Sequence, residues 1–379
     1  MKVFLQAIVG QILFNLYFAY RGGQALPKEG PWRKGLYALL AVEFLLYMVG
    51  FSLHLHLPKP VMEFIMTVCG TWYFASIYMC MGLLLMELIR LIDHLTVKRL
   101  THLSKRTYGR LKLSLLLVIP LASGLLIVWG YGLVQHPEVT YRTIQLDKPI
   151  GNEQNKLRLI LITDIHMSET ITRPYVERLV TLCNEQKPDL ILVGGDIFDY
   201  YSHYGYKDGI PDLMNRMNPP LGTYYVLGNH EYRADMQAKI DWIPLAGGVL
   251  LRDSVAQPGG LINLVGRDDA INKQRAELSE LVGRIEPDKR HLPLVLLDHQ
   301  PRALKQLPAN GVDLGLFGHT HNGQIFPFSI VTDLAFENSY GYSRAGKSHV
   351  FVSCGYGAAG PAIRLFTKSE IVVIDLLGA

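Results

Sequence analysis

Leu157-Arg158-Leu159-Ile160-Leu161-Ile162-Thr163 runs directly into Asp164-Ile165-His166. A short apolar run that stops at ionisable side chains reads as a buried strand with chemistry at its end. The pattern recurs along the chain. Residues 190–193 lead to Gly194-Gly195-Asp196-Ile197-Phe198-Asp199, and residues 223–227 lead to Gly228-Asn229-His230-Glu231. Residues 294–297 lead to Asp298-His299-Gln300-Pro301, and residues 314–317 to Gly318-His319-Thr320-His321-Asn322-Gly323-Gln324. Further strands are expected at 261–265, 350–353 and 371–374, with helices at 173–186, 233–241 and 272–285. Such alternation implies a layered α/β core.

Ligands of open α/β sheets collect at the carboxyl ends of the strands. Eight histidines lie after residue 137, and five of them fall in these strand tails, with Asp and Asn between them. Packing alone does not call for that coincidence. Asp, Asn and His offer oxygen and nitrogen donors suited to Mn, Fe or Zn rather than Ca or copper(I). The donors suffice for two ions. Asp164 and His166 stand two residues apart, which on an extended segment puts both on one face. His319 and His321 share that spacing, so each can serve a different metal. One carboxylate can bridge two ions ~3.5–4 Å apart, the separation used to hydrolyse phosphate esters.

The ordered set DIH, GGDIFD, GNHE, DHQP and GHTH resembles the calcineurin-like metallophosphoesterase superfamily over residues 157–374. GHTHNGQI and the later VSCGYGAAGPAIRLF are similar to its membrane-anchored bacterial branch, and a related transmembrane protein occurs in animals. The resemblance implies a sandwich of two β-sheets flanked by helices. It also implies that Asp164, His166 and His321 hold a first metal, that Asp196 bridges, and that Asn229, His299 and His319 hold a second. His230 then matches the catalytic histidine, giving a proton to the leaving oxygen or stabilising the transferring group, and Asp199 matches the acid that orients it. The implied cofactors are two divalent ions among Mn, Zn and Fe, with Mn favoured. Two departures narrow the family. Phosphoprotein phosphatases follow the second Asp with Arg-Gly, where this chain has Tyr200-Tyr201. Lipid A precursor hydrolases commonly carry Arg where this chain has His230.

Other residues carry weaker expectations. Four Tyr in residues 200–206 form either an aromatic wall near the site or a loop packed on its own domain, and Phe326-Pro327-Phe328 is a second candidate for such a wall. Arg364 is read as a phosphate ligand or a surface ion-pair partner. Asp298, beside His299 on a strand, is expected to face away from the ligands. Cys183 is expected to be buried, and four Cys in 379 residues exclude a disulfide scaffold.

The N-terminal third has a different composition. Four apolar stretches occupy residues 3–20, 36–53, 61–89 and 113–134. Each approaches or exceeds the ~18–20 residues that cross a bilayer. The first contains Gln6, Gln11 and Asn15 and is read as a retained span rather than a signal peptide. Glu43 inside the second is either a functional ionisable residue or, as favoured, a protonated or interhelically bonded Glu that helps the bundle pack. Residues 90–112 place Leu91, Ile92, Leu95, Leu100 and Leu103 among bases. They suit either an amphipathic helix on the inner leaflet or a plain charged connector. His54 and His56 are expected at the outer surface without a role.

The overall charge of +4 conceals two unlike parts. Residues 1–137 carry 13 Lys/Arg and 5 Asp/Glu, a net of +8, whereas the remainder nets −4. A nucleic-acid surface driven by net charge is therefore not expected. The bases concentrate in loops 21–35 and 90–112, which the positive-inside rule puts in the cytoplasm. The expected organisation is a transmembrane helical domain (1–137), a linker (138–156) and an extracytoplasmic phosphoesterase domain (157–379) on the bacterial cytoplasmic membrane. The short tether favours an amphiphilic substrate. The expected activity is hydrolysis of a phosphate ester or diphosphate of a lipid or envelope metabolite, by a hydroxide held between metals. The alternatives are a phosphodiesterase for soluble nucleotides and a catalytically silent membrane sensor. Expected partners are the phosphorylated substrate and membrane lipids.

Overall fold

The computed structural model describes residues 2–53 and 56–379, so His54 lies outside the described residues. The chain divides into two compact units, Met1–Trp129 and Gly130–Ala379.

Each apolar N-terminal stretch folds as a helix: α1 (Lys2–Ala25), α2 (Pro31–Leu53), α3 (Lys59–Leu95) and α4 (Lys105–Gln135). Among the described residues two stretches, Pro60–Leu95 and Lys105–Gln135, are long and apolar enough to cross a membrane. Polar residues of α1 and α2 meet. Gln11 Nε2 and Asn15 Nδ2 donate to Glu43 Oε2 at 2.9 and 2.8 Å. Gln11 and Asn15 thus form a cluster with Glu43 between the helices. Large apolar side chains such as Leu16, Leu45, Leu117 and Val128 point outward, while Phe18, Leu40 and Met79 form a small interior. That inversion suits lipid as the solvent. The amphipathic helix considered for 90–112 does not form as a separate element. Leu91, Ile92 and Leu95 extend α3, and Asp93 closes the turn by accepting the N–H groups of Arg99 and Leu100 at 2.9 Å.

The C-terminal unit begins inside α4, whose last residues from Gly130 belong to it. Its strands are β1 (Glu138–Gln145), β2 (Lys156–Ile162), β3 (Leu190–Val193), β4 (Thr223–Tyr225), β5 (Gly248–Leu250), β6 (Ser254–Ala256), β7 (Asn263–Gly266), β8 (Leu294–Leu297), β9 (Leu314–Phe317), β10 (Gly341–Ala345), β11 (Ser348–Val352) and β12 (Glu370–Leu377). Its helices are α5 (Arg173–Glu185), α6 (His203–Tyr206), α7 (Ile210–Met214), α8 (Met236–Leu245), α9 (Leu278–Gly283) and α10 (Phe328–Ala335). One six-stranded sheet has the order β1-β12-β2-β3-β4-β5 and the other β10-β11-β9-β8-β7-β6.

Strand alternation builds three apolar layers. Leu157, Leu159 and Leu161 of β2 meet Leu297, Leu314, Leu316 and Phe351 of the other sheet in the central layer. Ile160 and Ile162 face the other way, onto Val176, Leu179 and Cys183 of α5 and Trp242 of α8. Leu294, Leu296, Val350 and Val352 pack under Leu278 and Leu281 of α9. Because both faces of the inner strands are covered, these strands read as unbroken apolar runs.

Two expectations need correction. The segment 138–156 is not only a linker: β1 pairs in parallel along the whole of β12, and Ile144 and Leu146 are buried. The helix expected at 272–285 shrinks to α9, because residues 268–276 form a turn structure. There Asn272 Nδ2 donates to Asp268 Oδ2 and Arg275 to the Asp268 carbonyl, both at 2.9 Å.

Candidate metal centre

β2, β3 and β4 of one sheet and β8 and β9 of the other all release their tails at the same place. The first two tails stay paired beyond their strands: Asp164 N–H donates to Gly195 O at 3.0 Å and His166 N–H to Asp196 O at 3.0 Å. Glycine makes the approach possible. A Cβ on Gly195, whose φ is +86°, would lie 2.5 Å from Gly228 N, and one on Gly228 would lie 2.2 Å from Asp196 Oδ1. Any side chain there would push the second and third tails apart.

The Asp164–His166 segment is not extended. Asp164 and His166 have φ of +54° and +51°, and Asp196, His319 and His321 also sit in the left-handed region. Left-handed turns, not strand alternation, bring these side chains together. Each such conformation costs a non-glycine residue about 1–3 kcal/mol and concentrates at functional sites.

The ligand atoms form three close groups: Asp164, His166 and His321; Asp196, His299 and His319; and His166, Asp199 and His230. In the first, Nε2 of His166 and Nε2 of His321 face each other at 3.0 Å, and His321 Nε2 lies 3.5 Å from Asp164 Oδ1. In the second, His299 Nε2 lies 3.2 Å from Asp196 Oδ2, 3.3 Å from Asn229 Oδ1 and 3.3 Å from His319 Nδ1. Asp196 Oδ2 is also 3.8 Å from His166 and from His230, so one oxygen stands between the groups. Nearly all these side chains are buried, with Asn229, His319 and Asp199 half-buried. Buried carboxylates and imidazoles converging without aliphatic filler have the donor chemistry of a divalent-metal site.

The surroundings set the proton positions. His299 Nδ1 lies 2.8 Å from Gly194 O. It donates there and turns Nε2 inward, the orientation that metal-ligating histidines adopt. Burial, with His166 and Arg364 close by, holds His321 well below the ordinary imidazole range, so it stays neutral. Burial pushes Asp164 up, and Asp196 adds to the shift; burial also opposes ionisation of Asp196, but His299, His230 and His166 hold it well below the usual carboxylate range.

His230 differs from the ligands. Its Nδ1 lies 2.6 Å from the Asp199 carbonyl oxygen and 3.1 Å from Asp199 Oδ1, which leaves Nε2 directed at the centre. Burial lowers its affinity for a proton, but Asp196 and Asp199 overcome this and raise it above the ordinary value. Asp199 Oδ1 also lies 3.3 Å from His166 Nδ1.

The other sequence candidates fall elsewhere. Asp298 turns away from the ligands and pairs with Arg267 at 3.4 Å and Arg275 at 3.1 Å. Arg364 is neither a phosphate ligand nor a surface partner. It is wholly buried and donates to Gly357 O at 2.9 Å and to Cys354 O, with Nη2 3.0 Å from His321 Nδ1. The Tyr-rich segment packs on its own domain: Tyr206 donates to Ala238 O at 2.6 Å, and Gly205 O accepts from Trp242 at 2.8 Å.

Two residues of consequence had no assigned role. Glu231 is fully buried and accepts the N–H groups of Gly228, Asp196, Ile197 and Phe198 at 2.7–3.3 Å. Lys239, also fully buried, donates to His230 O at 2.7 Å. The only hint of either was their closeness in sequence to His230.

A family model described as calcineurin-like phosphoesterase matches residues 157–323. A metallophosphoesterase of Aquifex aeolicus is 30% identical over 242 residues, covering 62% of this chain and 90% of its own length. An uncharacterised metallophosphoesterase of Campylobacter jejuni is 31% identical over 250 residues, 65% of this chain and 66% of its own. A Danio rerio protein described as a transmembrane protein with metallophosphoesterase domain is 32% identical over 266 residues, 65% of this chain and 59% of its own. The matched part thus spans about two thirds or less of the Campylobacter and Danio proteins. Motifs, sandwich and relatives agree: the chain belongs to the calcineurin-like metallophosphoesterase superfamily.

Proposed function

We propose that the chain is a membrane-anchored phosphoesterase that uses two divalent ions, Mn before Zn or Fe, to hydrolyse a phosphate ester or diphosphate of a lipid or other envelope metabolite. The observation that carries the chemistry is the position of Asp196 Oδ2, between Asp164/His166/His321 on one side and Asn229/His299/His319 on the other. Metals held there would supply positive charge against phosphate oxygens and activate water. The chain's own residues do the rest. Protonated His230, oriented by Asp199, gives its Nε2 proton to the leaving oxygen. Arg302, exposed and held by Gln300 Oε1 at 2.7 Å, lies over Phe336 at 5.8 Å. Phe336 in turn contacts His319 at 5.8 Å, so Arg302 is placed to meet a phosphate at the rim.

The lipid part of the reading draws support from α10. None of its residues is buried, and Phe328, Ile330, Val331 and Leu334 are exposed, Leu334 by 85%. The helix follows the last ligand tail directly and ends at Phe336, against His319. Exposed Phe366 packs on Phe326 at 5.9 Å, and Arg364 N–H bonds Gly130 O at 3.1 Å, where α4 enters this unit. An apolar rim beside a phosphate centre suits a substrate with acyl chains. In this reading α1 to α4 all span the bacterial cytoplasmic membrane, and the basic loops keep the phosphoesterase unit outside.

The test uses detergent-solubilised full-length protein with Mn²⁺ and product phosphate as the readout. An aryl phosphate mono- or diester is expected to be hydrolysed, and His230→Ala to lower kcat by about 10²–10⁴-fold. Lipid phosphates should be turned over faster than nucleotides. No hydrolysis with Mn, Zn or Fe would sink the enzyme reading. Nucleotide hydrolysis without lipid-phosphate hydrolysis would leave the helices as a plain anchor.

A further inference from the structure

Positive charge gathers at one end of the N-terminal helices. α1 ends, α2 begins, α3 ends and α4 begins there, because consecutive helices joined by short turns run in opposite directions. They enclose an open cavity of about 920 Å³. Arg21, Lys28, Arg33, Arg90 and Lys112 line it, with Glu87 as the one carboxylate in the wall. Glu87 pairs with Arg21 and, at 3.1 Å, with Arg90. Among the described residues no carboxylate pairs with Lys28, Arg33 or Lys112. Arg21 Nε is buried without a hydrogen-bond acceptor.

Tyrosines hold these cations in place. Arg33 Nε donates to Tyr37 Oη at 2.9 Å, while Arg90 and Lys112 lie over the Tyr108 ring at 5.8 and 4.8 Å. Five cations around one cavity, one from each of the four helices and Lys28 from the α1–α2 turn, repel one another unless an anion joins them. Guanidinium forks match phosphate oxygens, and basic pockets between membrane helices suit anionic head groups.

A second feature selects the source of the phosphate. An apolar groove of about 350 Å³ runs between α1 and α2, lined by Ile12, Leu16, Leu40 and Phe44. Ala19 and Tyr37 line both the groove and the basic cavity, so the two are continuous. A polar, cationic chamber opening into an apolar slot has the shape of an amphiphile, not of a free anion.

We infer that this end of the bundle binds an anionic phospholipid, with its phosphate among the five cations and an acyl chain along the α1–α2 groove. The site is separate from the metal centre and does not depend on hydrolysis there.

Full-length protein in neutral detergent micelles is titrated with phosphatidylglycerol, phosphatidylcholine or inorganic phosphate. Bound lipid is counted by native mass spectrometry, and thermal stability is followed in parallel. Phosphatidylglycerol should be retained and should raise the Tm, and phosphatidylcholine and inorganic phosphate should do neither. Arg33→Gln and Lys112→Gln should each weaken phosphatidylglycerol binding about fivefold. Leu16→Trp should weaken it by obstructing the groove while leaving the charges in place. Equal retention of the two lipids, or indifference to both charge variants, would overturn the proposal. Inorganic phosphate matching phosphatidylglycerol, with Leu16→Trp silent, would reduce the site to a free-anion site and overturn the lipid assignment. A variant that unfolds is replaced by Lys28→Gln, which lies in the α1–α2 turn.

Discussion

Glu231 shows how much of this centre is held from behind. Four backbone N–H groups from two tails end on one buried carboxylate, and through them it fixes the loop that carries Asp196. Burial, with Asp196 adding to it, pushes this carboxyl up, and Lys239 and the backbone donors oppose that rise. Glu231→Gln keeps the shape but turns an NH₂ toward the donors. Each stranded N–H costs about 1–3 kcal/mol, so urea unfolding should show a loss of at least about 2 kcal/mol. Metal affinity should fall about 10–100-fold, as for other groups that orient ligands. A variant with unchanged stability and metal titration would refute this. The candidate ligands were legible in the sequence because their chemistry is carried by residue type: Asp, Asn and His at strand ends have few other uses. Glu231, Lys239 and Arg364 were not, because their roles depend on backbone atoms supplied by distant segments.

At the scale of elements, the four-residue runs at β3, β8 and β9 were legible with their boundaries, since full burial on both faces makes a strand uniformly apolar. β1, β5, β6 and β10 were not, because they are edge or near-edge strands with mixed exposure and no clear period. α10 escaped for the opposite reason: an apolar helix that buries nothing lacks the polar face that identifies a surface helix. If that face meets acyl chains, Leu334→Glu should lower turnover of a lipid phosphate several-fold and leave a water-soluble aryl phosphate unaffected. Equal loss on both substrates would mark α10 as a structural support of the centre. The tails of β2, β3 and β4 meet those of β8 and β9, so ions held there would tie one sheet to the other. Metal bound at about 100 times its Kd adds about 2.7 kcal/mol. For a unit of this size that raises the Tm by about 5–10 °C. Calorimetry with and without a chelator should show the drop, and an unchanged Tm would deny the bridging role.

The whole molecule is organised around the change of chemistry near residue 130. The sequence shows it as charge, +8 before residue 138 and −4 after. The structure places the unit boundary slightly earlier, at Gly130, and buries Val134 in the core of the second unit. Strand β1 then makes the stretch after α4 part of the sheet. A chain shortened to begin at residue 130 should therefore fold and hydrolyse an aryl phosphate. One beginning at residue 147 lacks Ile144 and Leu146, each worth about 1.5–3 kcal/mol when buried, and should unfold at clearly lower urea. Equal stability of the two would show that β1 is dispensable. The same partition carries the proposed orientation in the membrane. Arg21, Lys28, Arg33 and Lys34 lie near the α1–α2 turn, and seven more bases lie between Arg90 and Lys112. Bases resist translocation, so in the proposed arrangement both connections stay inside, and an even number of spans would put residue 379 on the same side as residue 1. A phosphatase reporter fused after Ala379, active only outside the cytoplasm, should light up. Changing the bases of 90–112 to Gln should weaken that preference, because this loop alone fixes α3 and α4. A reporter active only in the cytoplasm would place the metal centre inside and remove the case for an envelope substrate.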